Sequence, residues 1–305
     1  MQNLKGKSFL SITDLDANQI LYLIDLAQKI KTNEINFDFS KKVLGLIFEK
    51  SSTRTRVSFQ VAMQRLNGTW IEINPSNSQI GRGEPIKDTI RVLERYLDVL
   101  AIRTFEQKKL EEYKKWGNIP IINALSDSEH PCQILADLLT IKEEFGSFEG
   151  LTISYIGDPN NVSNSLILSS AILNIRLNIA CPEKYNPSKE ILKKASQLNQ
   201  NNLNLNIFHD PKEAVHNSNV IYTDVWSSMG QESQADNKEK SFKEFIVDKN
   251  LVSLAADNKI VMHCLPAYRG KEISDEIIES DISRIFVQAE NRLHAQQALL
   301  GAILL

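Results

Sequence analysis

A chain of 305 residues is long enough for two domains of ordinary size. With 42% hydrophobic and 24% charged residues it reads as a folded globular protein, not a disordered or membrane-embedded one. A net charge of −3 offers no basic face for nucleic acid, so any anion must be held by a local cluster.

The N-terminal segment lacks the apolar run of a leader, and no stretch reaches the ~18 apolar residues of a membrane span. Apolar runs then alternate with helical patterns almost throughout. Val43–Phe48 reads as a buried strand. Phe59, Ala62, Met63 and Leu66 follow at helical spacing, and Asn67-Gly68 is a stop signal. Thr69–Ile73, 99–104 and 119–124 are the next candidate strands, and a long helix over Pro131–Phe145 closes this half. The second half repeats the scheme with candidate strands at 151–157, 178–181, 204–209, 220–226, 260–265 and 285–287. The Asn-rich 197–206 reads as a surface connection, and the polar 231–240 as a mobile loop. Strands alternating with helices predict an α/β protein of two domains, each a mainly parallel sheet flanked by helices. The boundary is expected at 146–150, which gives domains 1–146 and 147–289. Open parallel sheets bind ligands beyond the carboxyl ends of their strands, here the loops 49–56, 103–106, 125–133, 157–164, 224–232 and 263–272.

Ser51-Ser52-Thr53-Arg54-Thr55-Arg56 falls in the first of these loops and opens a helix. Free N–H groups, the helix dipole, hydroxyls and planar guanidinium forks together suit a phosphate. An ordinary helix cap with solvated arginines is the plainer reading of any one of these residues. Four hydroxyl residues and two arginines in six positions favour the anion site. Arg103 ends a strand, where an arginine either meets solvent or points at a ligand. His130-Pro131-Cys132-Gln133 begins a helix. Asp224 ends another apolar run, placed either for a cation or as a turn cap. In His263-Cys264-Leu265-Pro266 a soft-metal reading lacks further ligands. Gly157 follows a strand, but 157–163 has no GxGxxG, which leaves a dinucleotide site weakly supported. Cys132, Cys181 and Cys264 are odd in number and far apart, which argues against a disulfide framework and fits a reducing cytoplasm.

The segment SSTRTRVSF resembles the carbamoyl-phosphate signature shared by aspartate and ornithine carbamoyltransferases. The resemblance runs from about residue 8 to 300. It implies that Ser52, Thr53, Arg54 and Thr55 bind the phosphate, with Arg54 and Thr55 also approaching the carbamoyl oxygen. The HPxQ match implies that His130 touches the carbonyl oxygen and Gln133 the carbamoyl amide. Arg103, and Arg292 in an ENR pattern at the opening of the last helix, return to the same substrate, and that helix (290–305) packs back on the first domain. Gln79, in Ser78-Gln79-Ile80-Gly81, is implied to reach a neighbouring subunit's site, which makes a homotrimer or a multiple of trimers.

On the acceptor side, 157–165 is similar to the GDxNNxxNS stretch of the ornithine branch, with Pro159 in place of its usual glycine and Asn161 as an ornithine contact. DxWxSMGxE is complete from Asp224 to Glu232 and implies that Asp224, Ser228 and Met229 hold the amino-acid end and stem of ornithine. HCLPAxRGxE is complete through Arg269, Gly270 and Glu272. It implies the Cys264 thiol near the δ-amine, the Cys264 and Leu265 carbonyls on substrate, and a cis Leu265–Pro266 bond. The expected reaction is direct carbamoyl transfer, with Arg54, Thr55, His130, Asp224 and Cys264 as the catalytic groups and with no metal and no organic cofactor. The alternatives are another acceptor (acylated ornithine, putrescine or aspartate) or a non-catalytic phosphate-binding homologue.

Overall fold

The computed structural model describes residues 4–200, 203–227 and 235–305, which form two compact units. Unit 1 comprises residues 1–139 and 290–305, and unit 2 residues 140–289.

Unit 1 is built on four parallel strands, β1 (Val43–Phe48), β2 (Thr69–Ile73), β3 (Val99–Arg103) and β4 (Ile121–Leu125), in the order β2-β1-β3-β4. Around them run α1 (Ala17–Lys31), α2 (Thr53–Arg65), α3 (Ile86–Leu93) and α4 (Gln107–Trp116), and α5 (Pro131–Phe145) begins here. β1 and β3 are buried almost end to end, as strands covered on both faces must be. Their side chains join Ile90, Leu110 and Ile121 in one apolar core. Asn67, at φ 59°, makes the left-handed turn between α2 and β2 that the Asn-Gly pair predicts.

Unit 2 holds five parallel strands, β5 (Thr152–Ile156), β6 (Arg176–Ala180), β7 (Leu205–Phe208), β8 (Val220–Thr223) and β9 (Ile260–His263), in the order β7-β6-β5-β8-β9. Its helices are α6 (Asn161–Leu173), α7 (Lys189–Leu198), α8 (Pro211–Val215), α9 (Ala235–Phe242), α10 (Lys249–Val252) and α11 (Asp275–Ile278). The last helix, α12 (Ile285–Leu304), starts in unit 2 and belongs to unit 1 from Glu290 onward. The expected architecture of two helix-flanked parallel sheets is the observed one.

Three expectations are corrected. Residues 285–287 are not a strand but the first turn of α12. Ile285, Gln288, Asn291 and Arg292 are buried while Phe286 and Val287 are exposed, a helical rather than an alternating pattern. Arg292 therefore lies inside the last helix and does not open it. The polar stretch 231–240 is not a loop over its second part, because 235–240 belong to α9, which is held by the buried Lys238 and Phe242 four residues apart. Residues 231–234 lie outside the described residues.

Candidate active site

In each unit the strand order reverses beside the first strand, between β1 and β3 in unit 1 and between β5 and β8 in unit 2. Loops leaving the two sides diverge there and open a crevice at the carboxyl ends of the strands.

In unit 1 the loop after β1 enters α2 through Ser52, whose hydroxyl accepts the Thr55 N–H at 3.2 Å. Thr53 and Arg54 are exposed on the first turn, while Thr55 is buried. Across from them Arg103 ends β3, only 5% exposed, and its carbonyl accepts the Glu49 N–H at 2.9 Å. Arg292 of α12 reaches the same place. One arm of its guanidinium donates to Thr55 Oγ1 at 2.6 Å and the other to Gln133 Oε1. Gln133 Nε2 in turn donates to Asp137 Oδ1 at 2.8 Å, one turn along α5. His130 is buried beside this chain of contacts. Burial holds its pKa well below the usual imidazole value, and the nearby Arg292 and Arg103 charges lower it further. It is neutral at neutral pH and can donate an N–H without carrying charge. Cys132 is a packing residue: burial pushes its thiol up to about 12, and it donates to the Asn123 carbonyl at 3.4 Å. Buried cationic groups, a helix N-terminus and open hydroxyls make this a place for an anion.

Gln79 lies on an exposed 3-10 turn, Gln79–Arg82. The same loop borders a cavity of about 560 Å³ lined by Glu49, Glu84, Lys109 and Tyr113, among others. Glu49 is already bonded to Thr104 Oγ1 at 2.5 Å and to Lys109 at 3.0 Å. Two carboxylates in its wall make it a poor anion site.

Unit 2 carries a carboxylate at its reversal. Gly157 leaves β5 at φ 135°, a backbone that side chains rarely adopt, and turns the chain into 158–160. Asn160 caps α6, its Oδ1 accepting the Val162 and Ser163 N–H groups, and its Nδ2 donates to Asp224 Oδ2 at 2.6 Å. Asn161 is the first residue of α6 and half-buried. Asp224 is 5% exposed, and its other oxygen accepts the Val225 N–H at 2.8 Å. Next to it, the Asp158 carboxylate is buried against Lys238 Nζ at 2.6 Å, and its pKa is raised chiefly by burial.

Cys264 follows β9, and the expected cis Leu265–Pro266 bond is present. Asp224, His263 and Cys264 bring their ligand atoms within 4.8 Å of one another, which adds the third donor that the sequence alone did not offer a metal. Both ring nitrogens of His263 are engaged, however. Nε2 pairs with Glu272 at 3.1 Å and Nδ1 accepts the Leu265 N–H at 2.9 Å, so the imidazole braces the loop. Arg269 turns outward to Asp275 and Glu279. Ser228 and Met229 lie outside the described residues.

Asn160, Asp137 and Lys238 had no assigned role in the sequence reading. Asp137 had a legible signal, the i, i+4 spacing from Gln133 on one helix. Lys238 had none.

Fold and sites together define a two-substrate α/β protein, with an anion cradle in one unit and a cation-seeking carboxylate in the other. Residues 7–143 match the aspartate/ornithine carbamoyltransferase carbamoyl-P binding domain, and residues 149–303 match the Asp/Orn binding domain of the same family. The chain belongs to the aspartate/ornithine carbamoyltransferase family and is a transferase. An ornithine carbamoyltransferase of Prochlorococcus marinus is 58% identical over 99% of this chain and 98% of its own length. One of Nostoc punctiforme is 50% identical over 100% and 99%. Among solved structures, the ornithine carbamoyltransferase from Pyrococcus furiosus superposes with a TM-score of 0.94 at 41% identity, covering 100% of this chain and 99% of that one. The enzyme from Gloeobacter violaceus gives 0.88 at 45% identity over 98% and 99%.

Proposed function

We propose that this chain transfers the carbamoyl group of carbamoyl phosphate to the δ-amine of L-ornithine, giving L-citrulline and phosphate. The observation that carries this reading is the buried chain from Thr55 through Arg292 to Gln133 beside a neutral His130. It offers donors for an oxyanion and, in the Gln133 amide, a group that can read a carbamoyl NH2. Full-length relatives named ornithine carbamoyltransferase support the choice of acceptor.

In this reading Ser52, Thr53, Arg54, Thr55, Arg103 and Arg292 hold the phosphate at the α2 N-terminus. Arg54, Thr55 and the His130 N–H converge on the carbonyl oxygen, where negative charge grows as nitrogen attacks. Asn161, Asp224, Ser228 and Met229 hold the amino-acid end and stem of ornithine, the Cys264 thiol borders the δ-amine, and the Cys264 and Leu265 carbonyls contact carbamoyl phosphate. A C–N bond forms, the C–O bond to phosphate breaks, and the departing phosphate takes the amine proton. Free amine is scarce near neutral pH, because its pKa is about 10, and orientation of the acceptor compensates. Carbamoyl phosphate is already activated, so the step needs no organic cofactor.

The same reading makes the enzyme a homotrimer or a multiple of trimers in the cytoplasm, with Gln79 serving a neighbouring site. Trp70 and Ile71 on the edge strand β2, exposed at 40% and 50%, support a covered face there. Cys132, Cys181 and Cys264 form no disulfide, which suits a reducing compartment. Among the described residues no helix is long and apolar enough to cross a membrane.

The test is product formation with carbamoyl phosphate against ornithine, N-acetylornithine, putrescine and aspartate. Citrulline from ornithine should exceed every other product. Preference for another acceptor, or no turnover with any, would overturn the assignment.

A further inference from the structure

A buried hydrogen-bond chain in unit 1 includes a residue that the reaction itself does not use. Asp137 is 1% exposed on α5, and its Oδ1 accepts from Gln133 Nε2 at 2.8 Å. On its other side Gln133 accepts from Arg292, whose second arm holds Thr55 Oγ1 at 2.6 Å. A glutamine amide can turn over and exchange its oxygen and nitrogen, so its direction must be fixed by its neighbours. Here both neighbours agree. A guanidinium has only donors, so it must face Oε1, and a carboxylate accepts, so it must face Nε2. Gln133 itself is fully buried.

We propose that Asp137 is a positioning residue: by fixing the Gln133 amide it presents Oε1 to the substrate and makes the cradle select a carbamoyl group over an acetyl group. The proposal rests on the carbamoyl-transfer reading above. A carbamoyl NH2 is a donor and fills the second lone pair of Oε1 beside the Arg292 bond, whereas the methyl of acetyl phosphate leaves that lone pair buried and unused. A site built around a hydrogen bond rejects the analogue that lacks it, because the unpaired group bears the full cost of its desolvation. If the amide turned over, it would present a donor to the carbamoyl NH2 and lose this discrimination. Asp137 thus acts through Gln133 and makes no contact with the reacting atoms. Most of the phosphate contacts in that reading, on Arg54 and the α2 N-terminus, lie away from Asp137, so phosphate affinity is separable from carbamoyl recognition.

The experiment uses the full-length chain and the variants Asp137→Asn and Asp137→Leu. Asparagine fills the same space but donates as well as accepts, so it removes the carboxylate's half of the constraint without a cavity and leaves Arg292 alone to hold the amide. Three quantities are measured on each preparation: KM for carbamoyl phosphate, and inhibition constants for acetyl phosphate and inorganic phosphate. All three are independent of the fraction of active protein, which keeps the test valid for a poorly folding variant. Asp137→Asn should raise the carbamoyl phosphate KM roughly three- to tenfold, the worth of one hydrogen bond. It should leave the phosphate constant unchanged and narrow the preference over acetyl phosphate. Asp137→Leu should lose more. An unchanged preference, or a parallel loss of phosphate affinity, would sink the idea and reduce Asp137 to a packing role. If the wild-type chain shows no preference for carbamoyl over acetyl phosphate, the carbamoyl-transfer reading fails first, and this inference goes with it.

Discussion

Asn160→Asp is the sharpest probe of the acceptor side because it changes a single group. Asn160 has two tasks: Oδ1 accepts the Val162 and Ser163 N–H groups at 2.9 and 3.2 Å, and Nδ2 donates to Asp224 Oδ2 at 2.6 Å. Aspartate performs the first at least as well, since a carboxylate caps a helix and suits its dipole, so α6 should keep its start. The second task is inverted: a carboxylate oxygen faces Asp224 where a donor stood. Losing a hydrogen bond to a charged group costs about 1.5–3 kcal/mol, roughly ten- to a hundredfold in affinity. The two carboxylates would share a proton, with one of them held above its usual range. Above that raised pKa both are ionised and repel, so the penalty should grow with pH and shrink as the solution is acidified. The assay is steady-state kinetics from pH 6 to 9 with carbamoyl phosphate saturating, together with calorimetry of carbamoyl phosphate alone. The ornithine KM should rise ten- to a hundredfold at the alkaline end while carbamoyl phosphate affinity holds. An unchanged ornithine KM would remove Asp224 from the acceptor site. An equal loss for both substrates would point to general damage.

Arg292→Lys should weaken carbamoyl phosphate roughly ten- to a hundredfold by calorimetry, because one ammonium cannot hold Thr55 Oγ1 and Gln133 Oε1 together as the fork does; unchanged affinity would take Arg292 out of the cradle. Lys238→Met leaves the buried Asp158 without its partner, which should cost about 3–5 kcal/mol and lower the thermal midpoint. Burial already raises the Asp158 pKa in the folded state, so that penalty is largest at neutral pH and fades as pH falls through the raised value and the group protonates; a loss independent of pH would contradict the ion pair as its source. Gln79→Ala and Arg54→Ala proteins, each impaired alone, should recover part of their citrulline output when mixed. No recovery, with subunit exchange verified by mass spectrometry, would argue against a shared site.

Much of the fold was legible because parallel strands buried on both faces read as unbroken apolar runs. Val43–Phe48 has the predicted bounds, and so does the exposed edge strand Thr69–Ile73, which the Asn-Gly stop before it marks off instead. The failures have particular causes. Ile285, Phe286 and Val287 form a run too short to show its period, and only the burial of Gln288 and Arg292 further along reveals a helix. α9 is short and polar, and what holds it is a lysine paired with an aspartate 80 positions away. In the candidate site, contiguous segments could be read because one helix start or one strand end carries several functional groups. Contacts made through space could not. Asn160 and Asp224 are 64 positions apart, and nothing local to either announces the other.

The strand orders explain why the chemistry is divided among these segments. In each unit the first strand is central, β1 between β2 and β3 and β5 between β6 and β8, and the chain winds away first on one side and then on the other. Where winding reverses, the two flanking loops leave in opposite directions and cannot fill the space above the sheet. In unit 1 those loops carry Ser52 to Thr55 and Arg103; in unit 2 they carry 157–161 and Asp224. A helix begins at each first-strand loop, α2 after β1 and α6 after β5, but the two starts are used differently. At α2 the capping serine leaves Thr53 and Arg54 exposed, which suits the anion role proposed for that helix end. At α6 the cap is an amide whose far side is spent on Asp224, which converts the same architecture into a fixed carboxylate for a cation. One topology thus presents arginines in one unit and a carboxylate in the other at equivalent places in the strand order.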